Sequence, residues 1–206
     1  MKLSIILLAG LLSCCSAGPD RQLPVAHPDQ EDKIDLASRL REKAAQARRF
    51  CEANAYNTEF CMLIDMNIHS GLERFFVYDL IREQVIDQGL TSHGICDYQP
   101  PHRSTPARPL FSNRKNSHCT SEGMYRIGKR DYSSWGINIK YVLHGLETSN
   151  NNAEERIVVL HSWEQVPDEA TYPKGIVYSW GCPAVSDNFM KRLDDRLRTS
   201  IQPVLL

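Results

Sequence analysis

No run of 18 apolar residues occurs anywhere in the 206-residue chain, so nothing in it reads as a membrane-spanning helix. Basic residues are not in excess either: Lys and Arg number 24 against 25 for Asp and Glu, which gives no electrostatic footprint for a nucleic-acid partner. The patterns H-E-x-x-H, C-x-x-C and H-x-H are missing, which leaves zinc chemistry without a spacing to support it. Internal repeats and low-complexity tracts are absent too, which excludes solenoids and arrays. What is left is enough chain for one domain with a sizeable core.

The first residues point to export. Met1-Lys2 is a short positive region and residues 3–12 are an apolar stretch of signal-peptide length. Leu11-Leu12-Ser13-Cys14 is similar to a bacterial lipobox, with Cys14 as the residue acylated; cleavage after Ala17 is the alternative. Residues 1–17 are therefore expected to be a signal peptide, and residues 18–32, with Pro19, Pro24 and Pro28, a tether. The expected location is the periplasm, anchored to the outer membrane through that lipid or otherwise secreted to the cell envelope. The only membrane contact expected is that anchor.

The informative stretch is 156–185. Ile157-Val158-Val159-Leu160 reads as a buried strand that delivers His161 at its end. A loop with Pro167, Pro173 and Gly175 follows, then a short Val177-Tyr178 strand leading into Ser179-Trp180-Gly181-Cys182-Pro183. A thiol and an imidazole on neighbouring strand ends are what a Cys/His nucleophilic site needs, since the imidazole must take the thiol proton. Gly181 would let a substrate carbonyl approach backbone N–H groups near the nucleophile.

His161-Ser162, a gap of 15 residues, then Ser179-x-Gly181-Cys182 resembles the signature of L,D-transpeptidases, the YkuD-like peptidoglycan enzymes. The match is to the branch whose nucleophile sits in S-x-G-C-P-A-V. Further segments resemble it, among them Arg74-Phe75-Phe76-Val77-Tyr78-Asp79-Leu80, Ser92-His93-Gly94, Phe111-Ser112-Asn113 and Gly145-Leu146-Glu147. The resemblance implies Cys182 as nucleophile, His161 as general base, and the Ser162 carbonyl as the group that orients the imidazole. It implies peptidoglycan stem peptides as substrate and no cofactor. Most of the wider family carries histidine before the Gly-Cys pair, where this chain has Trp180, and an Arg or Asn two residues after the cysteine, where it has Ala184. Trp180 is then a packing residue or an aromatic wall for the peptide, and the substrate carboxylate must be met elsewhere, by Arg156 or Arg126. His144 either positions substrate or is a hydrogen-bonded core histidine; His93, Ser179 and Asn113 are further candidates for the cleft. Zinc on Cys182, His161 and His144 is the competing reading, and a non-catalytic, lipid-anchored wall-binding protein is the reading from another class.

Beyond Cys14 and Cys15, five cysteines remain: Cys51, Cys61, Cys96, Cys119 and Cys182. Pairs Cys51–Cys61 and Cys96–Cys119 are expected, with Cys182 free; simple buried thiols are the alternative. Residues 33–51 carry small and apolar side chains at helical spacing, and Ser186-Asp187 would cap a helix over 188–198. Strands are expected at 60–68, 74–81, 85–92, 123–127, 135–146 and 155–161, and a surface loop at 99–109. The whole reads as a mainly β, YkuD-like barrel or sandwich over 33–206, with one helix at each end.

Overall fold

A computed structural model describes residues 30–97 and 103–206. The expected signal peptide, Cys14 as the expected acylation site and most of the expected tether lie outside the described residues, as does His102. Among the described residues the chain is mainly β, with eight strands and two helices.

Sheet A is an antiparallel meander of β1 (Phe60–Ile64), β2 (Phe75–Asp79) and β3 (Gln84–Gly89). Every residue of β2 is buried, because both faces of this sheet are covered. Phe75 and Val77, with Met62 of β1, point into the central core; Phe76 and Tyr78, with Cys61, point the other way. The strand period of two thus sends alternate side chains to two layers. The outer layer is α1 (Gln30–Asn54), which lays Leu40, Ala44, Ala47 and Cys51 on that second face. α1 begins at Gln30, within the segment read from sequence as tether.

Sheet B runs β7–β6–β5–β4–β8, where β4 is Tyr125–Tyr132, β5 Ile139–Gly145, β6 Val159–Ser162, β7 Ala184–Val185 and β8 Val204–Leu205. Its inner face, Tyr125, Ile127, Tyr141, Leu143, Leu160 and Val185, meets sheet A and α2 (Asp187–Leu197) in one core. Ser186 caps α2 by accepting the Phe189 N–H, a contact of about 1 kcal/mol. Phe189, Met190, Leu193 and Leu197 are its buried stripe. Asp194 on the same helix receives Tyr141 Oη–H at 2.7 Å and Arg130 Nε–H at 2.7 Å, which fixes the helix to β4 and β5.

Three sequence expectations are corrected. The strand expected at 155–161 is only Val159–Ser162. The Asn-rich segment before it closes as a helical turn, with Ile157 N–H on Glu154 O and Val158 N–H on Ala153 O, so the first part of the β-branched run is not strand. Val177-Tyr178 forms no strand; the pairing there is a single bridge between Gly94 and Ser179. Cys51 and Cys61 are free thiols, both fully buried, and burial pushes them up to about 11 and about 12. Cys96 and Cys119 do form a disulfide.

Candidate active site

β6 and β7 are parallel neighbours, with His161 opposite Ala184 and Ser162 opposite Val185. Continuing that register back sets Cys182 beside Val159, on the face that also carries His161, since alternate residues of a strand share a face. The turn leading into β7 is tied from several sides. Ser179 Oγ–H donates to Cys182 O at 2.6 Å and accepts the Gly181 N–H at 3.1 Å. Ser92 Oγ–H also reaches Cys182 O, at 3.3 Å, while accepting the Ala184 N–H at 3.1 Å.

His161 is buried, and its Nδ1–H donates to Ser162 O at 2.9 Å. A carbonyl only accepts, so Nδ1 carries the proton and Nε2 is left with its lone pair. Burial lowers the imidazole below its ordinary value, the Ser162 carbonyl opposes this, and the charge of Lys140 adds to the lowering. The Cys182 thiol is raised by burial, against the Val159 N–H and the charges of Arg156 and Lys140, which all lower it. Both groups are therefore neutral at rest. The sulfur accepts the Val159 N–H at 3.4 Å and its proton points to Ile157 O at 3.7 Å; no hydrogen bond joins it to His161. Transfer of the proton to Nε2 requires the thiol to leave Ile157 O.

The remaining sequence candidates divide. Gly181 has φ +108°, and a Cβ there would sit 2.5 Å from Cys119 O. Glycine is needed for that close packing; its N–H is taken by Ser179, so the expected opening toward a substrate carbonyl is not found at Gly181 itself. Ser179 is a turn-forming residue beneath Cys182. Trp180 is 74 % exposed and stacks on His118 at 4.6 Å, with His118 Nδ1 held 2.6 Å from Asp97. Arg156 is engaged by Ser112 O, Ser121 Oγ and Cys119 O, so its guanidinium braces the 112–121 segment against the site instead of standing open in the cleft. His93 is 1 % exposed, takes an N–H from Arg74 on Nδ1 at 2.7 Å and gives Nε2–H to Thr105 O at 3.1 Å. It is a core histidine, lowered to about 4 first by burial and then by Arg74. Asn113 ties its loop to the 148–152 turn through Thr148 O, Asn151 and Asn152. His144 is half-buried, on the same face of sheet B as His161, and pairs with Glu154 at 3.0 Å.

Sequence reasoning missed His118, Ile157 and Lys140. Ile157 is a β-branched residue at φ +57°, 71 % exposed, with its carbonyl on the thiol. Lys140 stands opposite His161 in the β5–β6 ladder. Neither position has a local signal; each depends on a register or a turn set by distant residues.

A mainly β domain that presents a glycine-flanked thiol and a buried imidazole on adjacent parallel strands defines a class of thiol–imidazole sites. The chain matches the L,D-transpeptidase catalytic domain family over residues 32–202, and it belongs to that family. No curated protein matches the chain.

Proposed function

We propose that this protein is a peptidoglycan L,D-transpeptidase in which Cys182 is the nucleophile and His161 the general base, acting in the cell envelope. The observation that carries the reading is the parallel β6–β7 register, together with an imidazole whose Nδ1–H is committed to Ser162 O. The thiol turns from Ile157 O and gives its proton to His161 Nε2, and the thiolate attacks the carbonyl on the L-centre of the diamino acid in a donor stem. The Cys182 N–H, which makes no hydrogen bond among the described residues, is free to donate to the resulting oxyanion. Collapse breaks the C–N bond as the imidazolium returns its proton to the departing D-amino acid. A thioester remains. His161 then takes a proton from an acceptor amine, the amine attacks, the C–S bond breaks and the thiol is restored. Thioester chemistry conserves peptide-bond energy, so the crosslink needs no nucleotide.

Water in place of the amine would make the same site a carboxypeptidase or endopeptidase. Incubation with a purified disaccharide-tetrapeptide, followed by mass measurement, separates the outcomes. A crosslinked dimer is expected, abolished by Cys182→Ala; loss of one residue without dimer means hydrolysis. Unchanged substrate means a wall-binding protein and ends the proposal.

A further inference from the structure

The ladder of sheet B sorts its side chains between two faces. Tyr125, Ile127, Tyr141, Leu143 and Leu160 are buried in the core. Arg126, Lys140, Val142, His144 and Val159 alternate with them, so they share the opposite face with His161 and Cys182, and these five are half-exposed. Lys140 is opposite His161, Val142 opposite Val159, and Arg126 opposite His144.

Several charges elsewhere on the domain are paired, among them Arg39 with Asp65, Arg130 with Asp194, Arg192 with Asp87 and Lys115 with Glu155. Among the described residues Arg126 and Lys140 make no ion pair. The acids beside them in the ladder form no ion pair with either. Asp131, opposite Lys140, is exposed and accepts the Tyr132 N–H, and Glu154 is on His144. Two open cations thus flank an apolar floor of Val142 and Val159. Their rows lie four residue steps apart along β5, about 13 Å at the usual strand rise, which matches an extended peptide of about four residues. Lys140 stands opposite His161 in the β5–β6 ladder, and its charge lowers both His161 and Cys182.

We propose that Lys140 and Arg126 form a carboxylate-binding floor that holds the acidic groups of a stem peptide across Cys182. This rests on the transpeptidase reading for the identity of the ligand, while the site itself is a feature of the sheet. It supplies the recognition that Arg156, already spent on the 112–121 segment, does not.

The test is calorimetric binding of a disaccharide-tetrapeptide, with free or with amidated carboxyl groups, to the full chain carrying Cys182→Ala. Free peptide is expected to bind about tenfold tighter than amidated, one charge-assisted contact's worth. Adding Lys140→Gln or Arg126→Gln weakens the free peptide by a similar factor and narrows the gap between the two. Equal affinity for both peptides, no binding of either, or substitutions without effect each overturn the inference. Turnover by the unsubstituted chain, measured alongside, tests the other reading separately. Discrimination without turnover keeps the floor and removes the enzyme; turnover without discrimination does the reverse.

Discussion

Two buried histidines in this domain are held as opposite tautomers by what they touch. Arg74 donates to His93 Nδ1, so that ring keeps its proton on Nε2 for Thr105 O. His161 gives Nδ1–H to Ser162 O, and its free lone pair is on Nε2. The first has no nitrogen left for chemistry and the second has one, although both rings are buried. Ile157 is the other residue whose local geometry decides its role. Its N–H on Glu154 O and the Val158 N–H on Ala153 O close a helical turn at the position where glycine is the usual occupant. An L-residue there costs roughly 1–2 kcal/mol, more for a β-branched side chain. Ile157→Gly should relieve that strain, less what glycine's freer unfolded chain gives back, and lose little burial. A net gain of about 1 kcal/mol raises Tm by about 2–4 °C in scanning calorimetry. A lower Tm in the variant would mean that the exposed side chain packs in a way the structure does not show.

At the scale of elements, the Ser179–Cys182 turn is gripped by two arms that the Cys96–Cys119 disulfide joins. One arm pairs with it through Ile95 N–H on Ser179 O and Ser179 N–H on His93 O. The other presses Cys119 O against Gly181 and stacks His118 under Trp180. The bridge closes a sequence separation of 23, which in a chain-entropy account is worth about 3 kcal/mol. Replacing both cysteines by serine should lower Tm by roughly 6–12 °C and slow acylation of Cys182 by at least about tenfold, since the turn loses its seat. Melting curves and acyl-enzyme formation with a labelled stem peptide check the two effects. A lower Tm with an unchanged acylation rate would reduce the bridge to a staple. Much of this framework is legible in the sequence. Ser186-Asp187 announces α2, the alternation through Tyr141 and Leu143 announces β5, and the Ser-x-Gly-Cys turn with His161 marks the candidate site. The rest is set by contacts between segments far apart. Ile157-Val158 has strand composition, but a hydrogen bond back to Ala153 takes the Val158 N–H first. Cys51 and Cys61 belong to α1 and β1, and only the packing of that helix on sheet A decides that both are buried as free thiols. Lys140 faces His161 only because β5 pairs with β6 in that register.

Over the whole molecule, buried neutral groups define the pH range in which the fold is most stable. His93 is held near 4, below its ordinary 6.5, so the native state prefers the neutral ring. Its contribution is complete above 6.5 and is lost as pH falls through about 4, because the unfolded chain takes up the proton first. Cys51 and Cys61 are displaced the other way, to about 11 and about 12 from an ordinary 9. Their contribution is complete below 9 and is lost as pH rises through those values, since the unfolded chain ionises more readily. Thermal midpoints measured across pH should therefore form a plateau between about 6.5 and 9, with an acid and an alkaline limb. The limbs have separate causes and separate controls. Cys61→Ala should make the alkaline limb shallower, leaving the part that Cys51 contributes, and keep the acid one unchanged, with a lower plateau from the lost packing. His93→Gln, with an amide that can accept from Arg74 and donate to Thr105 O, should flatten the acid limb alone. An acid limb that persists unchanged in His93→Gln would transfer the effect to other groups, His161 first, whose burial lowers it in the same direction.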